Sequence, residues 1–521
     1  MSDEHGVECL WGDVKNHPQC PHGPTLLFGR YINGELEKFY ACSACRHRKL
    51  CRFYLKYEQK LSKFQKNAWE KEKKQLVQRC PHQKLYIRFN KIKAESVINR
   101  CYCHNCEKLI LNSEKDKHID HEVIENLTDH QMHHPTELLK PLDNAKKEAQ
   151  YLFSKKSTKD IVNMLLKLGA KQVLCIGTPR IHEYITEYHI DEMSSLLLDL
   201  DGRFHNFFGP LDYCWYNLFN NHFFNKDAVD VFKDFITQNE GKNTYLICDP
   251  PFGGRVEPIS YTLKTISDLH KKLNKINDDN FSLKIMFIFP YFMEHIMREK
   301  SNPPSVIGGL RDLKMSDYKV DYDNHPLFMS NKQSKKQGSP VRIFTNISLK
   351  LLELPASDGY KFCKDCEKWV SSENKHCKRC KECTSKDGRT YKHCKICKRC
   401  VKPTWKHCET CKRCLLEKHK CGQIPNIVGK CFKCNKFGHT GKECPNSSSI
   451  EATNETSVKK DKIVKKRKAE NELKISSTKR GKIEHSKKLV KKKVFVTNKK
   501  KVSKLEKIKN SNKKNKRKLY I

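Results

Sequence analysis

Between residues 171 and 349 the apolar positions fall in short dense runs rather than long periodic ones. Lys171-Gln172-Val173-Leu174-Cys175-Ile176-Gly177 carries an apolar centre closed by glycine, the pattern of a strand buried on both faces. Ser195-Leu196-Leu197-Leu198-Asp199 repeats it with an acid at its end, and Tyr245-Leu246-Ile247-Cys248-Asp249 does so again. Leu283 to Phe289 reads as a fourth strand and Val341 to Leu349 as a late one. A helical stretch follows Pro179, and residues 257–276 read as an amphipathic helix. Strands alternating with helices predict a doubly wound parallel α/β sheet. Ligands of such sheets sit outside the carboxyl ends of the strands, so Gly177, Asp199 and Asp249 are expected at one crevice.

Outside this region the pattern changes. Cysteines gather from Cys9 to Cys106 and again from Cys363 to Cys444, leaving only Cys175, Cys214 and Cys248 between them. Those three read as small buried side chains. The flanking clusters predict small modules that need metal because they bury too little apolar surface. Beyond Pro445 periodicity ends. Residues 451–521 hold 27 basic against 7 acidic side chains, which predicts a disordered lysine-rich tail over 447–521. The whole chain has 521 residues and a net charge of +42, a balance expected for a phosphate-bearing partner. No run of about 18 apolar residues and no N-terminal apolar segment with a cleavage site occur, so neither a membrane span nor secretion is expected. Without secretion, 27 cysteines argue for zinc rather than disulfides.

Asp249-Pro250-Pro251-Phe252 directly follows a predicted strand. Two prolines fix φ and remove two donors, which leaves their carbonyls as acceptors in a stiff turn. The Asp249 carboxylate and the Pro250 carbonyl can each accept one hydrogen of an exocyclic amine, and Phe252 offers a flat face to a base. A cytosine-5 enzyme would want a Pro-Cys turn where this chain has Pro-Pro. The tetrapeptide resembles the Asp/Asn-Pro-Pro-aromatic motif of amino-methyltransferases that use S-adenosylmethionine. That resemblance implies a Rossmann-like class I methyltransferase domain over 136–355. It also implies that Cys175, Ile176, Gly177, Thr178, Pro179 and Arg180 cradle the methionine part of the cofactor. Asp199 or Asp201 would then hold its ribose and Asp249 would line the same site.

Cys20, His22, Cys42 and Cys51 are spaced to close one tetrahedral site. They resemble the GRF-type zinc finger, expected over 15–60, with Cys45 as a spare thiol. Cys103-x2-Cys106 followed by His118 and His121 has Cys2His2-like spacing over 80–135, and Cys101 or His130 could substitute. Cys9 and Cys80 have no assigned role. In 360–424, 12 cysteines and 4 histidines suffice for four interleaved sites. These are Cys363, Cys366, His376 and Cys383; Cys377, Cys380, His393 and Cys400; Cys394, Cys397, His407 and Cys414; and Cys408, Cys411, His419 and Cys421. The ladder resembles the zinc fold of the Asp-His-His-Cys palmitoyltransferases without carrying over their activity. Cys431, Cys434, His439 and Cys444 form a CCHC knuckle over 429–446, with Phe432 and Phe437 placed to stack on unpaired bases.

The ordered combination resembles the zinc-knuckle-containing family of ribosomal RNA adenine-N6 methyltransferases. It implies methyl transfer from S-adenosylmethionine to an adenosine of large-subunit rRNA, several structural zinc ions, and RNA as partner without a membrane. Ribosome-biogenesis proteins would be further partners. Lys465-Lys466-Arg467-Lys468 fits an import cluster, so nucleus and nucleolus are expected, with the cytoplasm as a second location. An inactive RNA-binding adaptor, and methylation of DNA adenine or of a protein amide, stay open at this point.

Overall fold

The structure is a computed structural model. It describes residues 7–10, 14–32, 35–44, 50–78, 81–141, 150–301, 309–325, 339–419 and 421. The knuckle with Cys431, Cys434, His439 and Cys444, the lysine-rich tail, Cys45 and Cys80 lie outside the described residues. No described helix is long and apolar enough to cross a membrane.

The central domain begins with α1 (Lys155–Lys167), β1 (Gln172–Ile176), α2 (Pro179–Tyr188) and β2 (Ser194–Asp199). Next come β3 (Tyr213–Asn217), β4 (His222–Phe223), α3 (Lys226–Ile236) and β5 (Thr244–Cys248). It closes with α4 (Val256–Leu273), β6 (Lys284–Pro290), α5 (Glu294–Lys300), β7 (Lys314–Lys319) and β8 (Val341–Thr345). The strand order is β4-β3-β2-β1-β5-β6-β8-β7. β3, β2, β1, β5 and β6 run parallel, whereas β8 is antiparallel to both β6 and β7, and β4 to β3.

The wholly parallel sheet expected from the sequence is therefore corrected to a mixed one. An antiparallel strand needs no helical crossover, so the late segment enters between β6 and β7 without one. β3 and β7 went unread because Tyr213–Asn217 sits inside a longer aromatic stretch, Phe204 to Phe224, that gives it no bounds, and Lys314–Lys319 is mostly polar. The late strand is also shorter than expected. The Asn346 side chain accepts from the Ile285 amide at 2.8 Å and donates to the Leu283 carbonyl at 2.8 Å, so it replaces the ladder there.

Side-chain alternation divides the core into two layers. Val173, Cys175, Leu197, Ile247 and Ile288 face α1 and α2, whose Ile161, Leu165, Ile181 and Ile185 complete that layer. Leu174, Ile176, Leu198, Leu246 and Phe287 face α3 and α4 through Phe232, Phe235, Ile259 and Leu263. Strands buried on both sides explain why β1, β5 and β6 read as unbroken apolar runs.

The amino-terminal finger is a four-stranded antiparallel sheet of Val7–Cys9, Leu26–Ile32, Glu35–Ala41 and Tyr54–Lys56. It is clamped to the β3–β4 edge. The Asn217 amide donates to the His22 carbonyl at 3.0 Å and to Ser43 Oγ at 2.9 Å. The Asn220 amide donates to the Pro24 carbonyl at 2.7 Å. A second module pairs Cys101–Cys103 with Lys108–Ile110 and Val123–Ile124. Its Tyr102, Leu109 and Leu127 belong to the same layer as α1 and α2.

Leu246 is wholly buried in the α3–α4 layer, and Ile190 is 43 % exposed. Leu246→Ala should cost about 2–5 kcal/mol, whereas Ile190→Ser should stay within about 0.5 kcal/mol, as read from denaturant midpoints.

Candidate active site and metal centres

In-register pairing of β1 with β2 and β5 brings Ile176, Leu198 and Cys248 level at one edge. The loops that leave this edge touch through backbone. The Asp249 amide donates to the Ile176 carbonyl at 3.1 Å, and the Gly177 amide donates to the Leu198 carbonyl at 3.0 Å. Gly177 has φ of +64°, and a Cβ there would lie 2.8 Å from the Asp249 carbonyl oxygen. Only glycine permits that approach in that conformation.

Beside this crossing, the Tyr322 hydroxyl lies 3.0 and 3.1 Å from the two carboxylate oxygens of Asp249. Tyr322 is held by a bridge to Phe153, by the Ser154 amide donating to the Asp321 carbonyl at 2.8 Å, and by the Asp323 amide donating to the Leu152 carbonyl at 3.0 Å. Burial pushes the Asp249 carboxyl well above the usual carboxylate range, and the Tyr322 hydrogen bond pulls it partly back. Phe252 sits among Tyr322, Phe289, Tyr151 and His325, with ring centroids 5.9 to 6.5 Å away.

These groups line a cavity of about 1060 Å³. Of the residues singled out from sequence, Ile176, Gly177, Pro179, Asp199, Asp201, Asp249, Pro250, Pro251 and Phe252 line it. Cys175, Thr178 and Arg180 do not. Cys175 points into the α1–α2 layer, Thr178 is buried, and Arg180 is committed to Asp323 and the Phe153 carbonyl. The two acids after β2 also separate. Asp201 makes a fork with Arg203, Nε at 2.9 Å and Nη2 at 2.7 Å. Asp199 accepts the Asp201 amide at 2.9 Å, and its carboxyl is pushed up to about 7, first by burial and then by the neighbouring Asp201 charge. Asp199 is thus the acid with acceptor capacity to spare.

Sequence reasoning missed Tyr322, Tyr151 and the finger's part of the wall, where Phe28, Arg30 and Phe39 face the cavity. No local motif marks them, because each reaches the site through tertiary pairing.

The cysteine and histidine clusters converge as well. Ligand atoms of Cys20, His22, Cys42 and Cys51 lie within 4.8 Å of one another, as do those of Cys103, Cys106, His118 and His121. The same holds for Cys363, Cys366, His376 and Cys383; for Cys377, Cys380, His393 and Cys400; and for Cys394, Cys397, His407 and Cys414. In the last set of the ladder, Cys408 and Cys421 sulfurs are 3.6 Å apart, and His419 Nε2 lies 3.6 Å from Cys411 and 3.4 Å from Cys421. A tetrahedral zinc with Zn–S of about 2.3 Å and Zn–N of about 2.1 Å has ligand edges of roughly 3.4–3.8 Å, and the donor atoms of these sets are gathered at close to that spacing, so the sets suit that ion. The short His118-x2-His121 spacing works because the His121 amide donates to the His118 carbonyl at 3.0 Å, a turn that sets the two Nδ1 atoms 3.0 Å apart. The two substitutes considered from sequence stand elsewhere. Cys101 is buried with Ile110, and His130 pairs with Glu137 and Glu187.

Residues 144–332 match a family model described as a probable N6-adenine methyltransferase. Over longer stretches the chain is similar to three proteins named rRNA N(6)-adenosine-methyltransferase ZCCHC4. It is 43% identical to that of Xenopus tropicalis over 83% of this chain and 87% of the relative. Identity is 39% to that of Homo sapiens, covering 87% of each. It is 43% to that of Mus musculus, covering 82% of each.

The Gly177 contact can be weighed against a glycine with the same backbone freedom. Gly169 has φ of +70° and nothing within 4 Å of a Cβ. Gly169→Ala should cost about 1–2 kcal/mol for the left-handed conformation alone. Gly177→Ala should cost clearly more, because the Asp249 carbonyl must also move; equal shifts in thermal midpoint would mean that the crossing tolerates a side chain.

Proposed function

The chain belongs to the rRNA N(6)-adenosine-methyltransferase family that these relatives represent, and from that premise we propose how its site works. It transfers a methyl group from S-adenosylmethionine to N6 of an adenosine in large-subunit rRNA. One observation carries this reading: the Tyr322-held carboxylate of Asp249, with Pro250, Pro251 and Phe252, shares a cavity with Gly177 and Asp199.

Bound S-adenosylmethionine supplies a methyl group on a cationic sulfur. Asp199 accepts from the ribose hydroxyls, and the Gly177 loop leaves room for the methionine part. The Asp249 carboxylate and the Pro250 carbonyl accept the two hydrogens of the adenine amine, so its lone pair is oriented for attack. Phe252 stacks the base. No side chain acts as a nucleophile, and positioning supplies most of the rate. Because burial makes Asp249 more basic than a solvated aspartate, it also suits the proton that the amine sheds.

The cysteine and histidine sets hold structural zinc in this reading. The net charge of +42 and the CCHC spacing from Cys431 to Cys444 support RNA over a protein amide as acceptor. The same charge and Lys465-Lys466-Arg467-Lys468 support nuclear and nucleolar residence, and an rRNA substrate supports contacts with ribosome-biogenesis proteins.

The decisive test follows tritium from labelled S-adenosylmethionine into separated rRNA, mRNA, DNA and protein. Label in large rRNA, recovered as N6-methyladenosine and lost in Asp249→Ala, is expected. The absence of both label in every fraction and cofactor binding would leave an inactive RNA-binding adaptor instead, whereas cofactor binding without label would point to a missing partner. A second test concerns Tyr322. Its hydroxyl favours the ionised form of Asp249, so Tyr322→Phe raises the Asp249 pKa further. Activity that needs the carboxylate is lost as pH falls through that pKa, so the acidic limb of the kcat/KM profile should move to higher pH. The loss of one charged hydrogen bond, about 1.5 kcal/mol, should lower kcat about tenfold. An unmoved limb would remove Tyr322 from the mechanism.

A further inference from the structure

Arg180 stands in the first turn of α2, directly after Pro179 of the cavity wall, but lies outside that wall itself. A cation at a helix amino terminus opposes the helix dipole, and this turn holds no acid to offset it. The side chain is 14 % exposed, so its guanidinium is also largely stripped of water. Neither cost serves the helix. The groups that compensate them lie outside it: the Arg180 guanidinium donates to the Phe153 carbonyl and to the Asp323 carboxylate, and Nε reaches Thr136 Oγ1 at 3.4 Å.

Phe153 and Asp323 are the neighbours of Tyr322, one across the pairing and one along the chain. Phe153 meets Tyr322 in an isolated antiparallel bridge, not a ladder, so few bonds fix the register of the two segments. Arg180 spans that bridge, holding the backbone of one segment and a side chain of the other. On the other side of Tyr322 in sequence, the Asp321 amide donates to Ser157 Oγ of α1 at 2.9 Å. Tyr322 is thus set between one anchor on α1 and one on α2. A one-residue slip of such a pairing would turn the Tyr322 ring away from Asp249, since alternate side chains point to opposite faces. Among the described residues, the titratable groups against Asp249 are Tyr322 and Cys248, with Asp321, Tyr151 and His325 beside Tyr322.

We propose that Arg180 is a positioning residue for methyl transfer. By clamping the Phe153–Tyr322 pairing to the start of α2, it holds the Tyr322 hydroxyl on Asp249 and ties that hydrogen bond to the loop of Gly177 and Pro179. The proposal rests on the reading of Asp249 as the group that orients the adenine amine. It replaces the direct cofactor contact expected for Arg180 from its place in the loop.

The test compares Arg180→Ala and Asp323→Asn in the full chain with wild type and Tyr322→Phe. Loss of the clamp weakens the hydrogen bond that favours ionised Asp249, so the acidic limb of the kcat/KM profile should move to higher pH in both variants. Through-space charge alone predicts opposite shifts, because one variant removes a cation and the other an anion. kcat should fall about three- to tenfold, with KM for S-adenosylmethionine unchanged. Adding Arg180→Ala to Tyr322→Phe should lower kcat no further, since both act on one bond. A limb that stays in place or moves oppositely in the two variants, a raised cofactor KM, or additive losses would each overturn the proposal. Asp323 is 46 % exposed, so Asp323→Asn keeps the test decisive if Arg180→Ala does not fold. If the wild-type chain transfers no methyl group to rRNA, the methyltransferase reading fails, and the clamp is then judged without turnover. Burial raises the folded pKa of Asp249 above its unfolded value, so its contribution to stability is present below the unfolded pKa and is lost as pH rises through the folded pKa. With the clamp gone, that loss should extend to higher pH in the thermal midpoints of both variants, and the difference from wild type should vanish in an Asp249→Asn background. The same pH dependence in variants and wild type would overturn the clamp.

Discussion

Two strand ends meet where the Gly177 backbone passes against the Asp249 carbonyl, and the site is built outward from that crossing. A side chain at residue 177 would occupy the space of the Asp249 carbonyl, so the distance between the first and fourth parallel strand loops is set by the absence of a Cβ. Once it is set, Asp199 and the Asp-Pro-Pro-Phe turn open onto one cavity. The turn adds its own rigidity, because neither proline can donate a hydrogen bond or relax its φ. The remaining degree of freedom is the Asp249 carboxylate, which Tyr322 takes up by reaching both oxygens. Burial raises the pKa of this acid and the Tyr322 hydrogen bond brings it part of the way back, a perturbation common where chemistry is to be done.

Around that domain the cysteine-rich modules substitute donor sets for apolar cores. The finger's cluster contains Cys20, Cys42 and Cys51 beside Phe53 and Leu55, so ligands and core are the same residues. The modules are not appended loosely. Asn217 and Asn220 bind the finger through its backbone carbonyls, and Asp317 binds the ladder through an amide and an Asn side chain. Each module consequently has a position relative to the cavity, and the finger contributes Phe28, Arg30 and Phe39 to its wall.

Local patterns carried a large share of this architecture. β1, β2, β5 and β6 were legible because strands covered on both faces must be apolar throughout. The groups of four ligands were legible because tetrahedral geometry restricts how far apart along a turn two donors can be. Tyr213–Asn217 has the aromatic content that favours a strand, but aromatic residues continue on both sides from Phe204 to Phe224, so nothing local marked its bounds. Lys314–Lys319 was not legible because it lies at the outer end of the sheet, where polar residues are tolerated. Arg180, expected near the cofactor from its place beside Pro179, is held instead by Asp323, a partner 143 positions away.

What the sequence determined by itself was therefore everything with a short period: strand burial, the stiff Asp-Pro-Pro-Phe turn, the spacing of ligands and the surplus of positive charge. Tertiary structure alone decided that Asp199 rather than Asp201 keeps acceptor capacity, because Arg203 folds back onto Asp201. It alone decided that Tyr322 meets Asp249, through the pairing of 150–154 with 321–324, and that the finger closes the cavity. The physical reason is common to all three. Each depends on groups far apart in the chain satisfying one another's hydrogen-bonding or packing needs, and those needs are not written into either segment taken alone.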